Sequence, residues 1–149
     1  CAGDKATNVR SYSLNGNLGF DVSGGANTWS AAPDGPYAQY KKVSNIKKPV
    51  ETITFIDEFI GSPPVMNDGN FVMRPNGSSP SNPGLWNIGN LPAVYHSDSS
   101  GMSFGDGHSA IKKWKDAVLA LTKANATGSD HPQGNKSDAG WLAERATSK

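Results

Sequence analysis

The chain has 149 residues, of which 14 are basic and 13 acidic, and it contains 17 glycines and 10 prolines. A chain of this length fits one domain spanning residues 1–149, and its many turn formers favour strands and loops over long helices. The formal net charge of +1, with lysine pairs scattered along the chain, predicts no basic surface for nucleic acid. No apolar run approaches the roughly 20 residues of a membrane-spanning helix.

The first strands are predicted in two places. Residues 1–36 are rich in Asn, Ser and Gly, and their short apolar fragments predict a strand set among long loops. The clearest strand is predicted at Thr52–Asp57, where β-branched and aromatic residues follow one another. Strict alternation would put Ile53, Phe55 and Asp57 on one side of that strand. We therefore expect an inward face that ends in a carboxylate.

A hairpin is predicted with its reversal in the small polar run 97–101, which would bring His96 and Asp106 side by side. Four residues of the return arm share one parity: Met102, Phe104, Asp106 and His108. Because side chains alternate along a strand, an apolar half-face is predicted to continue into an acid and an imidazole.

Two helices are predicted near the end of the chain. Apolar residues at helical spacing among lysines favour an amphipathic helix from about Lys115 that ends by Gly128. The run Ser137–Arg145 predicts a capped final helix with Trp141 and Leu142 facing inward. The expected fold class is α+β, mainly antiparallel sheet with long loops and one or two short C-terminal helices.

Five segments in chain order resemble one family of bacterial proteins. They are the runs 10–15, 48–58, 92–96 and 104–108 and the pair Trp141–Leu142. The chain resembles pseudopilin-like proteins that have a prepilin-type N-terminal cleavage and methylation domain and an H-x9-DG signature. Here that signature runs from His96 to Asp106 and Gly107. The resemblance covers nearly the whole chain.

The resemblance implies a structural subunit of a type II secretion or type IV pilus-like assembly, not an enzyme. Family members have a long hydrophobic N-terminal helix, cleaved by a prepilin peptidase, and an outward-facing sheet domain. That arrangement implies a periplasmic or cell-surface domain of an inner-membrane-anchored bacterial protein. Its partners would be copies of itself and other pseudopilins, joined through the helix, with membrane contact through the helix alone and no nucleic acid.

The beginning of the chain departs from the family pattern. The hydrophobic helix is absent, and Cys1–Asp4 resembles a Cys-Pro-x-Asp element that members carry inside the domain. We therefore expect this chain to be the C-terminal part of a longer protein. A mature lipoprotein that begins at Cys1 is the alternative.

Four candidate metal ligands lie at the ends of segments predicted to be extended: Asp57, His96, Asp106 and His108, with Glu58 as a substitute for the first. The resemblance implies Ca²⁺, since major pseudopilins carry a calcium site in their C-terminal loop region. Two histidines would instead favour Zn²⁺ or another transition metal. The structural alternative has Asp106 accepting backbone N–H bonds beside Gly107 at positive φ, with His96 hydrogen-bonded across the hairpin.

Two further functions stay open. A metal held by His96, Asp106 and His108 with an open position would activate water in a hydrolase, although no serine or cysteine lies in a nucleophile motif. A carbohydrate-binding module would use aromatic side chains as a stacking surface. Its candidates are Trp29, Tyr40, Trp86 and Trp114, for which core packing is the alternative.

Overall fold

The structure is a computed structural model that describes residues 12–19, 40–59, 69–74, 85–115, 129–132 and 138–147. Its strands are β1 (Tyr12–Asn15), β2 (Ile53–Asp57), β3 (Asn70–Phe71), β4 (Met73–Arg74), β5 (Leu85–Ile88), β6 (Ser99–Phe104), β7 (Ser109–Lys113) and β8 (Ser129–Pro132). The described ranges also contain one α-helix, α1 (Asp138–Ala146), and a 3-10 turn at Val43–Asn45. The expected α+β class, dominated by strands, is confirmed.

The strands form two sheets. Five of them make a mixed sheet in the order β3-β1-β2-β6-β7, and the other three make a sheet in the order β4-β5-β8. Every pairing in these sheets is antiparallel except that of β1 with β3, so the expected predominance of antiparallel pairs is confirmed.

The final helix is confirmed and closes the core between the two sheets. Its buried apolar residues lie at i, i+3, i+4 and i+7 spacing: Ala139, Leu142, Ala143 and Ala146. Trp141 is only partly buried and packs against the same core, which includes residues of β2, β3, β4 and β6. The prediction of a helix from about Lys115 to Gly128 falls on residues 116–128, which lie outside the described residues. Within the described ranges, no helix is long and apolar enough to cross a membrane.

Strand β1 turns its polar residues inward. Ser13 and Asn15 are buried, whereas Tyr12 is exposed and Leu14 is half-buried. Ser13 lies opposite Ile56 of β2, which points into the core. Strand β1 therefore places the polar side chains of Ser13 and Asn15 in the interior, where each needs a hydrogen-bond partner.

Strand β2 contains a β-bulge that overturns the predicted face. Ile53 pairs with Phe104, but Phe55 pairs with Ser103, so β2 has one extra residue relative to β6. A bulge reverses the alternation beyond it, so Ile56 becomes fully buried and Phe55 is left 47% exposed. The prediction that Ile53, Phe55 and Asp57 share an inward face is wrong for Phe55.

The predicted hairpin also has its reversal elsewhere. The polar run 97–101 leads into β6, with Gly101 in the middle of the strand, and the chain reverses at Gly105–His108 between β6 and β7. The predicted parity ends with the strand, because Phe104 is buried whereas Asp106 and His108 in the turn are exposed. His96 and Asp106 consequently lie at opposite ends of β6 and are not neighbours.

Candidate functional site

The second half of the signature forms the turn between β6 and β7. The N–H of Gly107 donates to the carbonyl of Phe104 at 3.0 Å, and the N–H of Phe104 donates to the carbonyl of His108 at 2.9 Å. Gly107 has a φ of +94°, in the region that favours glycine. This pattern is a three-residue hairpin loop with a glycine bulge, so the turn itself accounts for Gly107.

Asp106 and His108 are paired at the tip of this hairpin. Oδ1 of Asp106 lies 2.6 Å from Nδ1 of His108 and accepts the backbone N–H of His108 at 3.1 Å. The His108 ring stacks on Phe104 with its centroid 4.2 Å away and an interplanar angle of 3°. The pKa of the Asp106 carboxyl is lowered, chiefly by the backbone N–H of His108 and next by its imidazole.

The first half of the signature lies in a tight turn before β6. Ser97 and Asp98 have φ values of 53° and 61°, an uncommon backbone conformation for residues other than glycine. The carbonyl of Asp98 accepts the N–H of Trp114 at 2.9 Å, and Tyr95 lies 6.0 Å from the ring of Phe59. His96 is exposed at this tip.

The four predicted metal ligands do not converge on one site in the described part of the chain. Strand β6 has six residues, about 17–20 Å, and it separates His96 from the pair Asp106 and His108. Asp57 is buried at the end of β2 that lies toward the His96 end of β6. In the described ranges, which include all four residues, no group of three or more His, Cys, Asp or Glu side chains is placed to hold a metal ion. The structure thus brings Asp106 and His108 together and leaves the other two elsewhere.

Glu58, the predicted substitute for Asp57, joins the two sheets instead of reaching the hairpin tip. Its carboxylate accepts hydrogen bonds from the hydroxyl of Ser13 on β1 and from Nδ2 of Asn90, the latter at 2.7 Å. Oδ1 of Asn90 in turn accepts the backbone N–H of Val72 at 2.9 Å, between β3 and β4. This buried carboxylate ties the five-stranded sheet to the segment that follows β5.

Asn15 makes a second buried joint. Its Nδ2 donates to the carbonyls of Ile53 and Ala146, each at 2.8 Å, and so connects β1 to β2 and to the end of α1. Its Oδ1 accepts the backbone N–H of Asn17 at 3.0 Å. Hydrophobic patterning could not identify Ser13 or Asn15, because that method places apolar residues inward. Their position in the run 10–15 of the family resemblance was the only available signal.

The region around Trp114 fastens β7 and α1 to the core. Trp114 is buried, and its Nε1 donates to the hydroxyl of Ser100 at 2.7 Å. Nζ of Lys112 lies 2.7 Å from Oδ1 of Asp138, in the first turn of α1. Trp141 meets the Trp114 ring edge to face at a centroid separation of 6.2 Å. These contacts hold α1 against β7, and the carboxylate of Asp138 is also favourable in the first turn of a helix.

The predicted sugar-stacking surface is not formed by the residues that can be described. Trp114 and Tyr40 are both buried, so their rings belong to the interior. Trp29 lies outside the described residues, and for Trp86 only the backbone is described. Trp141 is covered by Arg145, whose Cζ lies 4.2 Å from the ring centroid. Of the four candidate aromatic residues, the two whose surroundings are described, Trp114 and Tyr40, therefore act in packing.

Comparisons with protein-family profiles, with the curated proteins and with solved structures found no match.

Proposed function

We propose that this chain is the outward-facing globular domain of a pseudopilin-like protein, and that its work is assembly and display rather than chemistry. The observation that carries the proposal is that the segments of the resemblance form one structural framework. Ser13 of the first segment is hydrogen-bonded to Glu58 of the second. The N–H of Ala93 in the third segment donates to the carbonyl of Asp57 at 2.8 Å.

The remaining segments extend the same framework. The N–H of Gly105, in the fourth segment, donates to the carbonyl of Thr52 at 2.9 Å. Leu142, in the last, is buried in the core that β2 and β6 share with α1. The residues of the resemblance named above hold the fold together. This supports a structural role, because catalytic residues would instead converge on an accessible site.

The spacing of the signature supports the same conclusion. The nine residues between His96 and Asp106 are the six residues of β6, the two turn residues before it and the one turn residue after it. An insertion or deletion there would shift β6 against both neighbours, since a one-residue slip exchanges the two faces of a strand. A fixed interval is therefore what a packed central strand requires.

In the intact protein, a hydrophobic helix before this domain would anchor it in the inner membrane and join it to copies of itself and to other pseudopilins. The domain would then face the periplasm or the cell surface. The pair Asp106 and His108 would lie at one end of the hairpin as a structural element of this domain.

Processing of the whole gene product tests the proposal. The complete gene is expressed in bacterial cells with and without a prepilin peptidase, and the products are followed with an antibody against this domain. We expect a shorter mature form only when the peptidase is present, and labelled material in the fraction sheared from the cell surface. A peptidase variant without its catalytic residues is the control.

A gene product whose mobility is the same with active and inactive peptidase, or a gene in which a lipoprotein signal directly precedes Cys1, would contradict the proposal.

A further inference from the structure

Among the residues that the structure describes, strand β7 is an open edge of the five-stranded sheet. It is the last strand in the sheet order, and Ser109, Ile111 and Lys113 are all exposed. Ile111 is 77% exposed although it is a large apolar residue in the centre of the strand. An exposed edge strand of this kind is a template for pairing with another strand.

The hydrogen-bond pattern shows which backbone groups face outward. The N–H of Phe104 donates to the carbonyl of His108, and the N–H of Trp114 donates to the carbonyl of Asp98. Phe104–His108 and Asp98–Trp114 are therefore hydrogen-bonded pairs of the β6–β7 ladder. Antiparallel pairs alternate between hydrogen-bonded and non-hydrogen-bonded positions. The backbone groups of Ala110 and Lys112 therefore face β6. Those of the three alternate residues face the open edge: Ser109, Ile111 and Lys113.

We propose that this edge is a self-pairing surface, in which β7 of one copy adds antiparallel to β7 of a second copy about a two-fold axis through Ile111. In that register Ile111 faces Ile111 of the second copy, and Ser109 faces Lys113. All three outward-facing residues then form hydrogen-bonded pairs, and the two sheets join into one. The proposal follows from the strand register and does not depend on the proposed function.

The charges on the strand fit this register. Lys113 lies opposite a serine, and Lys112 is turned inward to Asp138, so no lysine faces a lysine. The exposed Lys115 of one copy lies opposite Gly107 of the other, beside Asp106. The carboxyl of Asp106 has a lowered pKa and is ionised at neutral pH. A parallel, in-register pairing would instead set each lysine against its own copy, which is unfavourable.

The side chain of Ile111 also suits the two-fold axis. Its partner on β6 is Gly101, where an added Cβ would meet nothing within 4 Å. The isoleucine therefore has open space on its own sheet and gains a neighbour only from the second copy. A surface of one short strand is small, so this pairing belongs to the weak class and is strengthened where copies are held close together.

Cross-linking through the axis tests the proposal. Ile111→Cys is made in a Cys1→Ser background, and the Cys1→Ser, Val43→Cys protein is the matched control, because Val43 is also 77% exposed but lies outside the sheet. Directly paired residues have Cα atoms about 5.5 Å apart, within the range of a disulfide. Under mild oxidation we expect covalent dimer to form at least ten-fold faster for Ile111→Cys than for Val43→Cys.

The register is tested with two further variants in the same background. A mixture of Ser109→Cys and Lys113→Cys proteins should cross-link rapidly, whereas Ser109→Cys alone should not, because its two copies are four positions out of register. Cross-linking of Ser109→Cys alone at the rate of Ile111→Cys would overturn the antiparallel register.

A charge at the axis should abolish the association without affecting the fold. Ile111→Lys places two lysines face to face. The unsubstituted chain should show a sedimentation coefficient that rises with concentration, and this rise should be absent in Ile111→Lys. Its thermal midpoint should stay unchanged, since the side chain is exposed. An Ile111→Cys protein that cross-links no faster than Val43→Cys overturns the proposal outright.

Discussion

Gly107 shows how the conformation of a single residue shapes the hairpin. Gly107 and Gly101 lie in the same hairpin, and at both positions an added Cβ would meet nothing within 4 Å. They differ in backbone conformation, because Gly107 has a φ of +94° and Gly101 is an ordinary strand residue. A comparison of these two glycines therefore separates backbone strain from steric contact.

We expect Gly107→Ala to destabilise the protein by about 1–2 kcal/mol, because an L-residue is strained at that φ. Gly101→Ala should be neutral or stabilise by up to about 1 kcal/mol, since glycine weakens the interior of a strand. Urea denaturation of both variants measures the difference. Equal destabilisation by the two substitutions would show that the turn does not need a positive φ.

Asp106 contributes a pH-dependent part of the stability of the turn. Its folded-state pKa is lowered from 3.8, so its stabilisation is present above the unfolded-state pKa and is lost as the pH falls through the folded value. We expect the difference in thermal midpoint between the unsubstituted chain and Asp106→Asn to be fully present at about pH 5. Below pH 3.8 that difference should shrink. A difference that stayed constant down to pH 2.5 would contradict this assignment.

At the scale of elements, the β2 bulge decides which side chains the core receives. Simple alternation predicts that Phe55 is inside, whereas the bulge buries Ile56 and exposes Phe55. The identity and hydrophobicity of the residues cannot reveal the bulge, because it depends on how β2 pairs with β6. The sequence predicted the strand correctly but not its phase.

Two alanine substitutions distinguish these alternatives. Ile56→Ala should cost about 2–5 kcal/mol, because it removes buried methylene groups and leaves a cavity. Phe55→Ala should cost less than about 1 kcal/mol, since the ring is 47% exposed. The free energy of unfolding of each variant, from urea denaturation, is the measurement. A larger loss of stability for Phe55→Ala than for Ile56→Ala would contradict the bulge and support simple alternation.

The attachment of α1 to β7 depends on one of two adjacent lysines. Lys112 pairs with Asp138, and these side chains are 22% and 7% exposed, whereas Lys113 faces the solvent. Lys112→Met would leave a buried carboxylate without its cation, at a cost of about 2 kcal/mol. Lys113→Met should change stability by less than about 0.5 kcal/mol. Chemical denaturation of both variants should show this contrast, and equal effects would count against the ion pair.

At the scale of the whole molecule, Glu58 holds separate parts of the chain together. It connects Ser13 of β1 to Asn90, and Asn90 continues to Val72. A buried carboxylate that accepts hydrogen bonds on both oxygens stabilises the arrangement only if each donor is in place. This joint links segments that are far apart in sequence, so the two sheets are expected to unfold together.

Replacement of Glu58 by glutamine tests the joint. Glu58→Gln puts an amide donor where a carboxylate oxygen accepts, so we expect a loss of about 1–3 kcal/mol. Glu51→Gln is the matched control. Glu51 forms an exposed pair with Lys48, so this substitution should cost less than about 0.5 kcal/mol. Calorimetry should also show a single transition for the unsubstituted chain. Two separate transitions would mean that the sheets are not coupled.

The sequence alone was enough to predict the α+β class, the strand in 52–57 and the final helix with Leu142 inward. Each depends on local features, namely β-branched and aromatic runs, helical spacing and a cap. The position of the hairpin reversal was mispredicted, because the polar run before β6 and the Gly-Asp-Gly run after it both suit a turn. Only strand pairing chooses between them.

The tertiary structure alone decided which polar residues meet. It separates His96 from Asp106 and His108 by the length of β6, and it sends Glu58, Ser13 and Asn15 into the interior. The physical reason is that these contacts join segments distant in the chain, and their geometry is set by the β2 bulge and the sheet order. A sequence shows that a carboxylate ends a strand, whereas packing determines whether that carboxylate meets a serine, an amide or the solvent.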